Sequence, residues 1–157
     1  KWKEILSNFK NIKLHMIGKL QTNKVKQAVS LFDYIHSVDS IKLAQKISTE
    51  ENKINKKIKL FIQINIGKEI QKNGILEEDL IDFYQTLVND LKVDVVGLMC
   101  IPPIEVNTIQ IFKKMKDLNK KLGLINLSMG MSSDYLEAVK CGSTHVRVGS
   151  KIFGLRN

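Results

Sequence analysis

Apolar residues recur along this chain in two alternating rhythms. Short apolar or alternating runs at 13–17, 34–38, 60–66, 93–100, 125–128 and 145–148 predict strands. Between them, helical periodicity predicts helices over 23–31, 40–53, 77–91, 105–122 and 133–141. In the helix over 40–53, Ile41, Ala44 and Ile47 share a stripe with Leu43 beside them, and Lys42, Gln45 and Lys46 form the polar side. In the helix over 105–122, Ile109, Phe112 and Met115 make a similar stripe, and Gly123 follows as a stop. Trp2, Ile5, Leu6 and Phe9, set among Lys, Glu and Asn, predict one more amphipathic helix at the start.

Strands and helices that alternate at this length argue for an α/β protein with a parallel sheet. The run 60–66 adds a direction. It puts Leu60, Ile62, Ile64 and Ile66 on one face and Phe61, Gln63 and Asn65 on the other. A polar stripe near the end of a parallel strand suits the interior of a barrel. A complete (β/α)8 barrel takes about 250 residues. With 157 residues and no linker-like stretch, residues 1–157 read as a single domain forming part of such a barrel. About six of its eight strands are accounted for.

The chain carries 25 Lys and Arg against 16 Asp and Glu, for a net charge of +9. That balance raises a nucleic-acid groove as one reading. The basic residues are spread out, aromatics do not interleave with them, and only Arg147 and Arg156 are arginines. The densest cluster, Lys53, Lys56, Lys57 and Lys59, reads as solvated surface before a strand, and no nucleic-acid partner is expected. No apolar run is long enough for a membrane helix and no secretory leader pattern opens the chain, so a cytoplasmic protein is expected. Cys100 and Cys141 have no metal-ligand spacing and read as reduced thiols. His15, His36 and His145 likewise show no ligand spacing and read as interior histidines.

The stretch from Leu127 to Arg156 carries the most chemistry. Two short strands each run into a loop of Gly and Ser, around Gly130 and around Gly149. Free amides in such loops attract a phosphate. Ser128, Gly130, Met131, Ser132 and Ser133 make one candidate cradle, and Gly149 with Ser150 makes the other, so one anion held from two sides is expected. Asp134 with Glu137 fits a capping-box-like helix start. Spacing alone also fits ordinary turns. Arg147, inside a strand between Val146 and Val148, needs partners, either a ligand or a carboxylate of the barrel wall.

Ser128-Met-Gly-Met-Ser-Ser-Asp134, Val146-Arg-Val-Gly-Ser150 and Ile152-Phe-Gly154 resemble the C-terminal signature of the YggS/PROSC family. His15-Met-Ile-Gly-Lys-Leu-Gln-Thr-Asn-Lys24, His36-Ser-Val-Asp39, Gln63-Ile-Asn-Ile-Gly-Lys-Glu with Lys72-Asn-Gly-Ile75, and Val96-Gly-Leu-Met99 with Ile101-Pro-Pro103 are similar to it in the same order. The resemblance implies a barrel of the alanine racemase N-terminal domain type that binds pyridoxal 5′-phosphate (PLP). It implies that Arg147 faces the pyridine nitrogen. It places Asn65 in the family's fifth-strand motif and His15 in its third, with His15 shaping the pocket, and leaves Lys72 at the pocket mouth or on the surface. Asn23 and Lys24 match the same third-strand motif, and Met99 packs beneath the ring or in the core.

The family's Schiff-base lysine lies on the first barrel strand, in a motif resembling Ala-Val-Ser-Lys that this chain does not contain. The expectation is therefore a chain truncated at its N-terminus. Its implied function is PLP binding in intracellular PLP homeostasis, without a catalytic reaction. A separate polypeptide supplying the missing strands is a further expectation. Two rivals stand beside this reading: a fragment of an alanine-racemase-like PLP enzyme, and a non-functional remnant of a split gene. A racemase needs a second acid–base group opposite the lysine, and no Tyr or Cys can be assigned to that place.

Overall fold

Six parallel strands form one sheet in sequential order, β1 (His15–Met16), β2 (Tyr34–Val38), β3 (Lys59–Ile64), β4 (Asp94–Cys100), β5 (Asn126–Met131) and β6 (His145–Arg147). The computed structural model describes residues 8–9, 11–103 and 106–154. The helices are α1 (Val25–Leu31), α2 (Ile41–Ile54), α3 (Leu80–Gln85), α4 (Thr108–Lys121), α5 (Tyr135–Lys140) and α6 (Ser150–Phe153). The sheet curls strongly. The rings of His15 on β1 and His145 on β6, its first and last strands, have centroids only 5.6 Å apart. The result is a partial (β/α) barrel, helices outside and a polar face within, as the alternation along β3 implies.

Each helix ends where local chemistry stops it. Ser40 caps α2, its hydroxyl accepting from the Leu43 amide at 3.4 Å, and Asn55 closes it in the left-handed region at φ 48°. Asn107 caps α4 by accepting from the Gln110 amide at 3.3 Å. The expected start at Glu105 lies outside the described residues, as do Trp2, Ile5 and Leu6 of the expected first helix. Gly123 does terminate α4, at φ 69°. The helix expected over 77–91 breaks into a 3-10 turn (Glu77–Asp79), α3 and a π turn (Thr86–Asp90). The Thr86 hydroxyl donates to the Asp82 carbonyl at 2.9 Å, competing with the regular ladder there.

The core lies between the sheet's outer face and the helices. Leu60, Ile62 and Ile64 of β3 pack with Leu43 and Ile47 of α2, Leu98 of β4, Phe112 and Met115 of α4, and Leu127 of β5. Each such side chain, fully buried, contributes roughly 1.5–3 kcal/mol relative to exposure. Gly97 lets β4 and β5 approach. A Cβ there would lie 2.0 Å from the Asn126 carbonyl oxygen. Buried Asn119 ties α4 to the sheet, accepting from the Leu98 amide at 3.1 Å and donating to the Leu124 carbonyl at 2.7 Å.

The lysine cluster is more than a solvated surface. Lys56 donates to the carbonyls of Val29 at 3.0 Å and Phe32 at 2.8 Å, closing the C-terminal end of α1. Lys53 pairs with Glu50 at 2.9 Å and Lys57 with Glu51 at 3.3 Å, while Lys59 sits 5.5 Å over the Tyr34 ring. Among the described residues, no helix is long and apolar enough to cross a membrane, and no cluster of three His, Cys, Asp or Glu could hold a metal.

Candidate functional site

The ends of β5 and β6 bring the two Gly-Ser loops together. The Gly149 amide donates to the Ser132 hydroxyl at 3.1 Å, so the loops form one structure. A Cβ on Gly149 would meet nothing within 4 Å, which leaves open space over this junction. Ser133, Gly149 and Ser150 are exposed around it, with Ser132 half-buried.

Several expected roles change on inspection. Asp134 stands at the N-cap of α5 but does not reach forward into the helix as a capping box would. Its carboxylate turns back and accepts from the Met131 amide at 2.6 Å. The amides of Met131 and Gly149 are thus already engaged within the protein. Gly130, at φ 94°, serves packing: a Cβ there would fall 2.6 Å from Ala138 Cβ of α5. Ser128 lies in β5, fully buried beneath the loops. Asn65 works inside its own loop, donating to the Glu69 carbonyl at 2.9 Å and accepting from the Glu69 amide at 3.1 Å. Lys72 pairs with Glu69 at 2.6 Å and donates to the Pro102 carbonyl at 3.3 Å at the rim of the barrel.

Arg147 bonds across three strands. It donates to the Ser128 hydroxyl at 2.9 Å, the Ser128 carbonyl at 3.2 Å and the Cys100 carbonyl at 2.8 Å. The expected alternative, a bridge to a wall carboxylate, is not the arrangement found. Its Nε is buried and meets no partner among the described residues. Burial lowers the guanidinium from its ordinary value. Cys100 is no nucleophile, since burial pushes its thiol up to about 12.

The three histidines read as interior converge in one cluster, an association that the sequence did not predict. His15 stacks on Tyr34 with centroids 4.1 Å apart, and His36 stacks on Phe61 at 4.2 Å. His145 meets Phe61 edge-on at 5.1 Å. Burial, followed by the neighbouring His15, His145 and Arg147, pushes His36 down to about 3. Burial and His145 lower His15 against an opposing pull from Asp33, and burial alone lowers His145. Each shift favours the neutral ring. The available signal was the alternation of Tyr34, Ile35 and His36, which puts Tyr34 and His36 on the inner face. Met99 is buried on this inner face, opposite Gln63 on one side and Ser128 on the other.

Residues 3–157 match the model of the alanine racemase N-terminal domain. The pyridoxal phosphate homeostasis protein of Synechocystis is 37% identical over 164 residues, covering 98% of this chain and 74% of that protein. Its counterpart in Haemophilus influenzae is 35% identical, covering 94% of this chain and 66% of the relative.

This chain belongs to the pyridoxal phosphate homeostasis protein family.

It spans 66% to 74% of the length of those relatives. PipY of Synechococcus elongatus PCC7942, solved with PLP bound, superposes with a TM-score of 0.86 at 34% identity, covering 97% of this chain and 75% of PipY. Alanine racemase of Clostridium difficile, at 18% identity and a TM-score of 0.70, shares the fold over 97% of this chain.

Proposed function

We propose that this chain binds PLP at the joined loops of β5 and β6 and serves PLP homeostasis in the cytoplasm rather than turnover of a substrate. The observation that carries the reading is the Ser132–Gly149 junction with open space above it, beside a half-buried Arg147 whose buried Nε has no partner among the described residues. These residues fit the cofactor. Ser132, Ser133 and Ser150 would hold the phosphate, with Gly149 leaving room for it. Arg147, with Nε–H and one Nη2–H uncommitted among the described residues, would turn its guanidinium edge to the ring side of the site. PLP supplies a reactive aldehyde and an electron sink. Arg147, kept cationic and fixed by three hydrogen bonds, gives the site a donor whose direction does not vary. The buried Met99, His36 and Phe61, with the half-buried rings of His15 and Tyr34, would form its floor. The free thiols of Cys100 and Cys141 suit the reducing cytoplasm.

A segment pairing with the outer edges of β1 and β6 belongs to the same reading. It would close the barrel and bring a lysine to the aldehyde, whether it is continuous with this chain or a separate partner. Equilibrium dialysis against PLP, with inorganic phosphate as competitor, tests the site. Saturable binding that phosphate displaces is expected, and no saturable binding overturns the reading.

A further inference from the structure

We propose that Ser128, His36 and His15 form a one-way hydrogen-bond relay that fixes the Arg147 guanidinium, which makes Ser128 and His36 positioning residues of this site.

The relay is continuous through the interior. Arg147 Nη1 donates to Ser128 Oγ at 2.9 Å, Ser128 Oγ lies 2.8 Å from His36 Nδ1, and His36 Nε2 lies 2.9 Å from His15 Nδ1. It links β6, β5, β2 and β1, across 92 residues of sequence between His36 and Ser128. Only one direction satisfies every member. Arg147 has no acceptor and can only donate. Ser128 therefore accepts, and its own O–H needs an acceptor. Ser128 is fully buried, and His36 Nδ1 is the acceptor that the described residues provide. His36 is then protonated on Nε2, which donates to the bare Nδ1 of His15. The reverse direction would give Ser128 two donors and leave its buried O–H unpaired, at the cost of a lost hydrogen bond. Neutral rings are required throughout, and burial favours the neutral form of both.

The consequence falls on Arg147. Two of its contacts are carbonyls, which hold the plane of the guanidinium. The third, Ser128 Oγ, can rotate unless His36 holds its proton. His36 is itself clamped by its stack on Phe61, with rings 17° from parallel. The orientation of the guanidinium, which keeps Nε–H and one Nη2–H uncommitted among the described residues, is thus set by a histidine two strands beyond Cys100. This inference rests on the PLP reading only where PLP serves as the probe.

Long-range proton–nitrogen NMR of the histidine rings at neutral pH tests the relay with no ligand added. The expected form is His36 protonated on Nε2 with Nδ1 bare; His36 protonated on Nδ1 overturns the proposal. Hydrogen exchange at Arg147 Nε supplies a second readout. Ser128→Ala is expected to speed that exchange by about tenfold, and Ser128→Thr, which keeps the hydroxyl, to restore it. Should Ser128→Ala fail to fold, His36→Phe cuts the same link while keeping an aromatic ring on Phe61. Exchange at the parent rate in the folded variant overturns the proposal. In equilibrium dialysis, Ser128→Ala should bind PLP about tenfold more weakly than the parent, with Ser128→Thr close to it. A parent that binds no PLP sinks the cofactor reading, and the ring NMR still decides the relay.

Discussion

The Gly149 amide and the Ser132 hydroxyl, 3.1 Å apart, join two loops that are 17 residues apart in sequence. The bond sets the gap between the loops. Ser132→Ala removes it at a half-exposed position. Affinity for PLP and for inorganic phosphate should fall by about threefold to tenfold, as the loss of one neutral hydrogen bond implies. Stability should change by less than about 0.5 kcal/mol. Paired dialysis and urea unfolding check this, and an unchanged phosphate affinity would place the anion elsewhere.

Two glycines of the same region should fail in opposite ways. Gly130 combines φ 94° with a Cβ position 2.6 Å from Ala138 Cβ. Gly130→Ala should therefore destabilise the fold by about 2–4 kcal/mol, from backbone strain plus overpacking. Gly149 sits at φ −115° beside open space. Gly149→Val should leave the melting temperature within a few degrees of the parent, an allowance of about 1 kcal/mol, and abolish PLP binding by filling the space. A Gly149→Val chain that binds PLP normally would contradict the assignment of the site.

The fold was legible because its strands obey short-range rules. The expected strand over 34–38 matches β2 residue for residue, and the inward placement of Phe61 and Gln63 follows from alternation, while Asn65 lies past the end of β3 and turns to its own loop. The strand expected over 13–17 shrinks to two residues. The Leu14 amide donates to the Asp33 carboxylate and its carbonyl accepts from the Asp33 and Tyr34 amides, contacts no local pattern encodes. The helix α6 escaped because four residues carry no periodicity. The histidine cluster escaped for a different reason. His15, His36 and His145 come from the first, second and last strands, and only the curl of the sheet unites them. The Gly-Ser loops were legible as a place. Which residue there touches ligand and which braces another was not, because Asp134 and Ser128 turn inward.

Glu51 is the most exacting ion of the helical layer. It is almost fully buried, accepts from the Ile58 amide at 2.6 Å and pairs with Lys57 at 3.3 Å. Burial raises its carboxyl against those partners. Glu51→Gln keeps an acceptor for Ile58 and should cost little. Glu51→Ala leaves that buried amide unpaired and should cost about 1–3 kcal/mol. Urea midpoints of the two variants check the difference, and equal midpoints would show that the Ile58 bond contributes nothing.

Acid should weaken this protein through His36. Its value in the fold is pushed down to about 3, mainly by burial and then by His15, His145 and Arg147. The unfolded chain keeps an ordinary histidine near 6.5. Between those values the unfolded state binds the proton and the folded state does not. The contribution of His36 is therefore complete above the ordinary value and lost as pH falls through it toward the lowered one. Full loss is worth on the order of a few kcal/mol, at about 1.4 kcal/mol per unit. His15 and His145 are lowered too and add to the same slope. Glu51, raised by burial, acts in the opposite sense and makes the net slope shallower. His36→Phe keeps an aromatic ring on Phe61 and removes the titrating group. It will shift absolute stability, so the slope is the quantity to compare. Urea midpoints taken from about pH 7.5 down to about pH 5 should fall more steeply for the parent than for His36→Phe. Parallel slopes would mean that His36 takes up its proton equally in both states, and that the interior around it admits water.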